Sequence, residues 1–329
     1  MNDGTGSPPR NSRGTILQIQ RMSTEDGPGI RSTVFFKGCS LSCIWCQNPE
    51  SLTRTQELQW MKTRCIGCRS CIKACPEGAL TLSEAGMVID RTRCTVCVRC
   101  SDACPSTAME LIGKEWELDS LVTEVLKDRV YFEKSEGGVT LSGGEPSVQG
   151  RFAAALLRAL KSRGIHTALD TCGQASWETL ETLLTHTDLV LFDVKEIDPE
   201  KHRRLTGRSN ELILENLIRL RRHIEEHTTP QTLWVRTPMV PNATACRENI
   251  EGIGNFLARE LAGAVSRWEL CAFNNLCRDK YLRLDQHWPY HDEPLMTKEE
   301  MEACAAVARA SGVAPGIVHW SGPTRVERN

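Results

Sequence analysis

The chain has 329 residues, a length that accommodates one large domain or two ordinary ones. Hydrophobic residues make up 40% of it and charged residues 25%, as in globular proteins, and the formal net charge of −2 provides no broad basic surface for nucleic acid. No apolar run approaches the length of a membrane span, so we expect a cytoplasmic monomer with neither a membrane nor a nucleic acid as partner.

Residues 1–14 are rich in Gly, Ser, Asn and Pro and are predicted to form a flexible N-terminal tail. Six short apolar runs follow, each predicted to be a buried strand: Ser32–Lys37, Gly138–Ser142, Thr167–Thr171, Asp188–Asp193, Thr232–Arg236 and Trp268–Ala272. Stripes of apolar residues with helical spacing lie between the later runs, so the sequence predicts parallel βα units. Six units are too few for a closed eight-stranded barrel, which leaves a partial barrel or an open wound sheet.

Residues 56–111 break this rhythm and contain an internal repeat. The spacing Cys-x2-Cys-x2-Cys-x3-Cys-Pro occurs twice and is that of bacterial ferredoxins, in which the fourth cysteine of each run binds the other cluster. Paired zinc sites are the alternative. We therefore predict an inserted ferredoxin-like domain at 56–111, with the barrel formed by 15–55 and 112–329. One 4Fe–4S cluster is assigned to Cys65, Cys68, Cys71 and Cys104, and another to Cys94, Cys97, Cys100 and Cys75.

A third group of cysteines, Cys39, Cys43 and Cys46, directly follows the first predicted strand. Three thiolates are one too few for a cubane cluster, so one iron would stay open to a ligand, like the open position of a catalytic metal site. A structural zinc loop that uses Cys172 as a distant fourth ligand is the alternative.

Polar residues follow the other predicted strands, at the end where α/β barrels carry their active sites. They form the segments Ser142–Pro146, Asp170–Gly173, Asp193–Lys195, Arg236–Pro238 and Phe273–Asn275. Each alone reads as a loop or a helix cap. Their recurrence at one end of the predicted sheet favours a binding site. Four further cysteines, Cys246, Cys271, Cys277 and Cys304, have no cluster spacing and are expected to be buried structural thiols.

The three-cysteine loop, with Trp45 before its last cysteine, resembles the signature of radical S-adenosylmethionine (SAM) enzymes. The segments Asp26–Arg31, Phe35–Cys39 and Gln47–Ser51 are similar to those of the activating enzymes of glycyl radical enzymes, in the subgroup with an inserted two-cluster module. The resemblance implies an α/β fold, a partial (β/α)6 TIM-like radical SAM barrel with an inserted bacterial ferredoxin-like domain that holds two 4Fe–4S clusters.

The resemblance also implies roles for individual residues. Cys39, Cys43 and Cys46 would hold the catalytic 4Fe–4S cluster, to make three clusters in all. Asp170, Thr171 and Asp193, with the carbonyl of Leu191, would hold Na⁺ or K⁺. Trp45 would pack on the adenine of SAM and Lys195 would pair with its carboxylate. The residues expected to contact SAM are Trp45, Gly143, Gly144, Glu145, Asp170, Lys195, Arg236 and Asn274.

The implied reaction is that of an oxidoreductase. SAM is cleaved reductively to methionine and a 5′-deoxyadenosyl radical, which abstracts hydrogen from a glycine Cα of a partner glycyl radical enzyme. A flavodoxin or ferredoxin would supply the electron. The inserted clusters would relay that electron or serve in a docking or structural role. Two alternatives stay open at this point, a radical SAM enzyme that acts on a small molecule and a plain iron–sulfur electron carrier.

Overall fold

The computed structural model describes residues 12–326, and most of the predicted tail, residues 1–11, lies outside them. The strands are β1 (Arg13–Ser23), β2 (Arg31–Phe36), β3 (Glu57–Trp60), β4 (Leu80–Ser83), β5 (Gly86–Ile89), β6 (Met109–Ile112), β7 (Lys114–Glu117), β8 (Gly138–Gly143), β9 (His166–Thr171), β10 (Leu189–Asp193), β11 (Thr232–Met239), β12 (Arg267–Ala272) and β13 (Val318–Ser321). The helices are α1 (Ser70–Ala74), α2 (Arg99–Asp102), α3 (Leu118–Val125), α4 (Arg129–Ser135), α5 (Gly150–Lys161), α6 (Trp177–Leu184), α7 (Pro199–Thr206), α8 (Glu211–Glu226), α9 (Arg247–Glu260), α10 (Arg278–Arg283) and α11 (Lys298–Arg309).

One sheet of nine strands organises the fold, in the order β13-β12-β11-β10-β9-β8-β2-β1-β7. The strands from β2 to β13 in this sheet are parallel, whereas β1 and β7 are antiparallel at one edge. Each parallel strand adds next to its predecessor and the order never reverses, which is how a barrel winds and a doubly wound sheet does not. The sheet ends at β13 and β7 without closing. The predicted parallel α/β fold is confirmed, and its winding is that of a partial barrel.

All six predicted strands are present, but the sheet contains three strands that the sequence did not reveal. Strand β13 adds a seventh parallel strand, and its four residues are too few to stand out as an apolar run. Strand β1 begins at Arg13, so the prediction that the tail extends to residue 14 is wrong for its last two residues. Gly14 lies against Phe152 of α5, where a Cβ atom would come within 2.2 Å of the ring. This close packing, invisible in the sequence, fixes the start of β1.

The predicted helices cover the sheet and bury their apolar stripes. The stripe of α5 is one example, with Leu156, Leu157 and Leu160 fully buried against β1, β2 and β8. A second core forms around Trp268 in the C-terminal half. Among the helices of residues 12–326, none has the length and apolar character needed to cross a bilayer.

Arg31, the last residue of the Asp26–Arg31 segment, is completely buried at the start of β2. Its guanidinium donates hydrogen bonds to the hydroxyl of Thr140 at 2.7 Å, to the carbonyl of Val139 at 2.9 Å and to the carbonyl of Pro28 at 3.2 Å. Burial lowers the pKa of Arg31 to about 10. The arginine therefore fastens the loop that carries Asp26 to strand β8.

The region between β2 and α3 contains two small sheets, β3 with β6 and β4 with β5. Pairing of Glu57 with Ile112 brings the two ends of the region together. Arg69 and Val98, at equivalent places in the two cysteine runs, both adopt left-handed backbone with φ of 60° and 59° before a short helix. The boundaries 56–111 stay a prediction, and the β3–β6 pairing supports them.

Lys37, which directly follows β2, joins the sheet to this region. Its side chain is fully buried, and its ammonium donates to the carbonyl of Glu50 at 2.7 Å, to the hydroxyl of Thr53 at 3.1 Å and to Oε2 of Glu57 at 2.9 Å. Its aliphatic part leaves no room for a Cβ atom on Gly113, which would meet Lys37 Cδ at 2.6 Å. Lys37 therefore contacts both chain segments that lead into and out of the cysteine-rich region.

We expect Glu57→Gln to lower the free energy of unfolding of the cluster-loaded protein by about 1–3 kcal/mol at neutral pH, because it leaves a buried ammonium without its counter-charge. Burial opposes the charge of Glu57, but hydrogen bonds from Thr53 and Lys37 outweigh it and hold the pKa below its usual value. The stabilisation is therefore present above the unfolded pKa and is lost as the pH falls through the folded pKa. The difference between wild type and variant should disappear at acidic pH, once the pH lies below the lowered folded pKa of Glu57.

Denaturant unfolding under anaerobic conditions measures this difference. Glu110→Gln is the matched control, because Glu110 faces Arg64 at 3.9 Å and both side chains are nearly half exposed. Removing that pair should change stability by less than about 0.5 kcal/mol. Equal effects of the two substitutions would contradict the role given to Lys37.

Candidate active site

A cavity of about 450 Å³ opens at the carboxyl ends of the parallel strands. Residues from the loops after β2, β8, β9, β10, β11 and β12 line it, so the structure gathers the polar strand ends in one place. The predicted site residues that line it are Cys39, Cys43, Trp45, Cys46, Gly143, Gly144, Asp170, Thr171, Asp193, Lys195, Arg236 and Asn274. Glu145 and Leu191 are not among the lining residues.

The three cysteines lie on a loop that backbone hydrogen bonds hold in place. The amide of Cys39 donates to the carbonyl of Leu52 at 3.2 Å, and the amide of Ser42 donates to the carbonyl of Thr206 at 2.8 Å. Burial raises the pKa of the Cys39 thiol to about 12, and burial likewise raises the pKa of Cys43 and Cys46. These three thiols in one cavity become thiolates only when a cationic group offsets their charge. The donor set therefore fits an iron–sulfur cluster.

Helix α10, which the sequence did not predict, clamps the cysteine loop from the other side. Tyr281 donates its hydroxyl hydrogen to the carbonyl of Cys46 at 3.0 Å. Lys280 donates to Asn48 Oδ1 at 2.8 Å and pairs with Glu50 at 2.7 Å. The Gln47–Ser51 segment thus forms part of the surface against which α10 packs.

The two glycines of the Ser142–Pro146 segment permit a close approach of backbones. Gly143 has a φ of +113°, and a Cβ atom there would lie 2.3 Å from the amide nitrogen of Phe36. A Cβ atom on Gly144 would lie 2.2 Å from the carbonyl oxygen of Gly38. Both glycines therefore let the end of β8 pack directly on the chain that leads into the cysteine loop.

Glu145, which we expected to contact SAM, is not among the residues that line the cavity. The side chain is fully buried and accepts hydrogen bonds from the amide of Cys172 at 2.8 Å, the hydroxyl of Thr171 at 2.9 Å and the amide of Ser147 at 3.1 Å. With these three donors bound, the carboxylate fixes the loop after β9 relative to the loop after β8. Glu145 is a positioning residue.

We expect Glu145→Gln to destabilise the protein by about 1–3 kcal/mol, since the amide NH₂ group cannot accept a hydrogen bond and at least one buried donor loses its partner. SAM affinity should fall by less than about tenfold, because the side chain does not face the cavity. Unfolding and SAM titration of the same preparation measure the two effects. Unchanged stability together with lost SAM binding would show a direct contact instead.

Charged side chains of alternating sign form the floor of the cavity. The ammonium of Lys195 lies 2.5 Å from Asp193 Oδ2, and Ser142 donates to Asp170 Oδ2 at 2.6 Å. Arg236 lies 3.7 Å from Asp170 and 3.3 Å from Glu269. Burial, reinforced by the nearby charge of Asp193 and opposed by Arg236, raises the pKa of Asp170 to about 7. Burial opposes the charge of Lys195, but Asp193 and the neighbouring cysteines outweigh it and raise its pKa.

Oxygen atoms suited to a hard cation are present, but they are engaged with protein groups. Thr171 Oγ1 donates to Glu145 and accepts from the amide of Gly173 at 3.1 Å, while Asp193 is paired with Lys195. Across residues 12–326, no three His, Cys, Asp or Glu side chains converge closely enough to hold a single metal ion. A Na⁺ or K⁺ ion would share Asp193 with Lys195.

The sequence did not predict that three further residues belong to the site. Asp26 lines the cavity and accepts hydrogen bonds from Ser23 and Thr33 at 2.5 and 2.6 Å. Cys271, which we expected to be a buried structural thiol, also lines the cavity. Glu269 supports Arg236 from within an apolar strand. Alternation of side chains along β12, with every second residue facing the barrel interior, is the signal that could have found the last two.

Cysteines of the two runs lie near one another in the cysteine-rich region. A small second cavity is lined by Cys75, Cys94, Cys97 and Cys100, together with Leu58 and Leu80. Cys104, in turn, is close enough for its charge to act on Cys68 and Cys71. Cys75 of the first run thus lines one cavity with the first three cysteines of the second run. The two ligand sets given by the ferredoxin spacing stay a prediction.

Comparisons with known proteins agree with this architecture. The 4Fe-4S dicluster domain model matches residues 64–108, and the Radical SAM superfamily model matches residues 91–250. The chain is 40% identical over 299 residues to the trans-4-hydroxy-L-proline dehydratase activating enzyme of Clostridioides difficile, covering 90% of this chain and 96% of that protein. It is 39% identical over 283 residues to the (2S)-3-sulfopropanediol dehydratase activating enzyme of Klebsiella oxytoca, covering 84% of this chain and 86% of that protein. A radical SAM methyltransferase from Sphaerobacter thermophilus shares the fold, with a TM-score of 0.51, 12% identity and coverage of 93% of this chain and 76% of that one.

Proposed function

Because this chain belongs to the radical SAM activating enzymes of glycyl radical enzymes, we propose that Cys39, Cys43 and Cys46 hold the 4Fe–4S cluster at which it cleaves SAM. The protein is an oxidoreductase that generates a radical from SAM and acts on a glycyl radical enzyme. The cavity carries the proposal, since it places three partly buried cysteines beside the charged strand ends. When bound, cluster and SAM supply the one-electron cleavage that yields methionine and a 5′-deoxyadenosyl radical, which takes hydrogen from a glycine Cα.

The chain's own residues bind and orient SAM. Lys195 presents an ammonium to the SAM carboxylate, and Asp193 holds that ammonium in place. Asp170 and Asp193 supply anionic oxygen for the positive end of SAM or for a Na⁺ or K⁺ ion. Trp45, which is almost fully buried, offers an apolar face to the adenine. Such fixed partners lower the entropic part of the barrier by holding the reacting groups together.

The protein must also admit a loop of its partner and exclude water. The sheet does not close between β13 and β7, and this opening gives a protein segment a lateral route to the cavity. The aromatic side chains of Phe273, Tyr281 and Trp288 pack beside Trp45 and shield the cysteine loop. A dry, shaped site protects a reactive radical from side reactions.

We further propose that the inserted region holds two clusters, one on Cys65, Cys68, Cys71 and Cys104 and one on Cys75, Cys94, Cys97 and Cys100. With the cluster of the three-cysteine loop, the total is three. Fully ligated clusters suit electron relay from a flavodoxin or ferredoxin. We expect the protein to work as a cytoplasmic monomer.

The proposal is tested by anaerobic incubation of the protein with SAM and dithionite, followed by assay of 5′-deoxyadenosine. Glycyl radical enzymes such as trans-4-hydroxy-L-proline dehydratase and (2S)-3-sulfopropanediol dehydratase are then added separately, and each mixture is examined for the glycyl radical by electron paramagnetic resonance. A glycyl signal with one of a panel of such partners is the expected result. SAM cleavage without a signal from any partner would contradict the activating role.

A further inference from the structure

The surface around the first cysteine run is basic. Lys62, Arg64, Arg69 and Lys73, here called the first-run patch, are all exposed, and no acidic residue occurs between Glu57 and Glu77. In the part of the chain that the structure describes, Lys62, Arg69 and Lys73 form no ion pair. We propose that the first-run patch docks an acidic one-electron carrier protein. The inference rests on the proposed function and names the surface by which the electron reaches the protein.

The second cysteine run provides an internal comparison, because two of the four positions of the first-run patch have no basic residue at the equivalent place in the repeat. Arg69 corresponds to Val98 and Lys73 corresponds to Asp102. The equivalence is structural as well, since Arg69 and Val98 share the same left-handed backbone. The first run thus carries four basic residues and no acidic one, whereas the second run sets Arg91, Arg93 and Arg99 against Asp90 and Asp102. The excess of positive charge on the first run is therefore not a requirement of the fold. The two runs share one fold but differ in net charge. The extra positive charge of the first run suits it to bind a negatively charged partner.

Exposure of the cysteines does not distinguish the runs, because Cys68 and its counterpart Cys97 are both exposed. An exposed apolar residue does distinguish the two runs. Ile66, between the first two cysteines of the first run, is 68% exposed, whereas the equivalent residue of the second run is Thr95. An exposed isoleucine within a stretch of exposed basic residues has the composition of a transient protein interface, which combines apolar and charged side chains.

The orientation of the two runs agrees with this choice. Arg91, which leads into the second run, donates to the carbonyl of Arg283 in α10 at 3.4 Å. The same helix donates to the carbonyl of Cys46 through Tyr281. Within residues 12–326, no hydrogen bond or ion pair joins residues 62–75 to the sheet or its helices. The second run thus lies next to the barrel, and the first run is left free to meet a carrier.

The step itself is a simple electron transfer. The reduced carrier gives up one electron and is oxidised by one, and the cluster of the first run is reduced by one. No bond forms or breaks and no proton moves. The carrier, a flavin or iron–sulfur protein of net negative charge, is the only co-reactant.

The test compares two variants of the cluster-loaded protein that carry the same change of charge. Arg69→Asp/Lys73→Asp alters the first-run patch, and both changes suit the fold, because Asp tolerates left-handed backbone and Asp102 already fills the place equivalent to Lys73. Arg93→Glu/Arg99→Glu is the control on the second run, where both arginines are also exposed. Binding of oxidised flavodoxin is measured by calorimetry. Reduction by reduced flavodoxin is followed by anaerobic stopped flow, without SAM and without a glycyl radical enzyme.

We expect the first-run variant to bind flavodoxin about tenfold more weakly and to be reduced about tenfold more slowly at low ionic strength, with a smaller difference in high salt. Reduction by dithionite should stay unchanged, and the control should behave as wild type. Unchanged flavodoxin binding in the first-run variant, or an equal loss in the control, overturns the proposal. A separate activation assay with SAM and the glycyl radical enzyme covers the other possible partner. Normal reaction with flavodoxin but lost activation would show that the patch docks that enzyme, and would also overturn the proposal. Because SAM is absent from the flavodoxin measurements, failure of the proposed function leaves their result intact.

Discussion

Replacement of Cys43 by alanine is expected to abolish SAM cleavage, with formation of 5′-deoxyadenosine falling by at least about a thousandfold. The physical reason is that two remaining thiolates cannot hold a cubane that already lacks a fourth protein ligand. The iron content should fall by about four atoms per chain, while the iron of the inserted region remains. Anaerobic reconstitution, iron analysis and a 5′-deoxyadenosine assay with dithionite measure the two effects together.

Cys304→Ala is the matched control for this change. Cys304 is partly buried in α11 and packs against the C-terminal core, far along the chain from the cysteine loop. Its loss should leave both the iron content and SAM cleavage unchanged. SAM cleavage that survives in the Cys43 variant would mean that the reaction occurs elsewhere, and loss of all iron would mean that the variant has unfolded.

Local sequence patterns were enough to predict most of the fold. Each parallel strand is a short apolar run, and each cysteine run has its spacing written in a few consecutive residues, so both can be read without knowing distant contacts. The elements that the sequence did not predict depend on contacts with residues far along the chain. Helix α10 is short and mostly polar, and its importance comes from Tyr281 and Lys280, which contact the cysteine loop some 230 residues earlier. No pattern within six residues predicts such a contact.

The candidate site shows the same division. Position at a strand end correctly grouped Asp170, Lys195 and Arg236 around one cavity. It did not reveal the direction in which a side chain points, and Glu145 turns away from the cavity to meet three donors. Direction depends on which buried donors need a partner, because an unmatched buried amide is costly. That balance is decided by the packed structure.

The buried charges of the cavity form connected pairs, so each can be disturbed separately. Lys195 forms an ion pair with Asp193, and Arg236 lies between Asp170 and Glu269. Paired charges hold one another in fixed positions, and fixed positions suit recognition of a zwitterionic molecule such as SAM. The pairs therefore organise the site before SAM arrives.

We expect Lys195→Met to weaken SAM binding by about tenfold to a hundredfold, because the carboxylate of SAM loses its cation while Asp193 becomes an unpaired anion beside it. The free energy of unfolding should fall by about 3 kcal/mol for the same unpaired charge. The rate of SAM cleavage at saturating SAM should change much less than the affinity. Lys195→Arg keeps the charge and should restore part of the affinity.

Lys201→Met separates SAM binding from stability. Lys201 pairs with buried Glu196 at 2.9 Å, near Lys195 in the chain, but it does not line the cavity. Its loss should destabilise the protein through the same kind of unpaired carboxylate while SAM affinity stays as in wild type. Calorimetric titration with SAM and denaturant unfolding give both quantities for both variants. Equal SAM affinity in the two variants would show that Lys195 supports the fold and does not contact SAM, whereas a selective loss in Lys195→Met would place its ammonium on the SAM carboxylate.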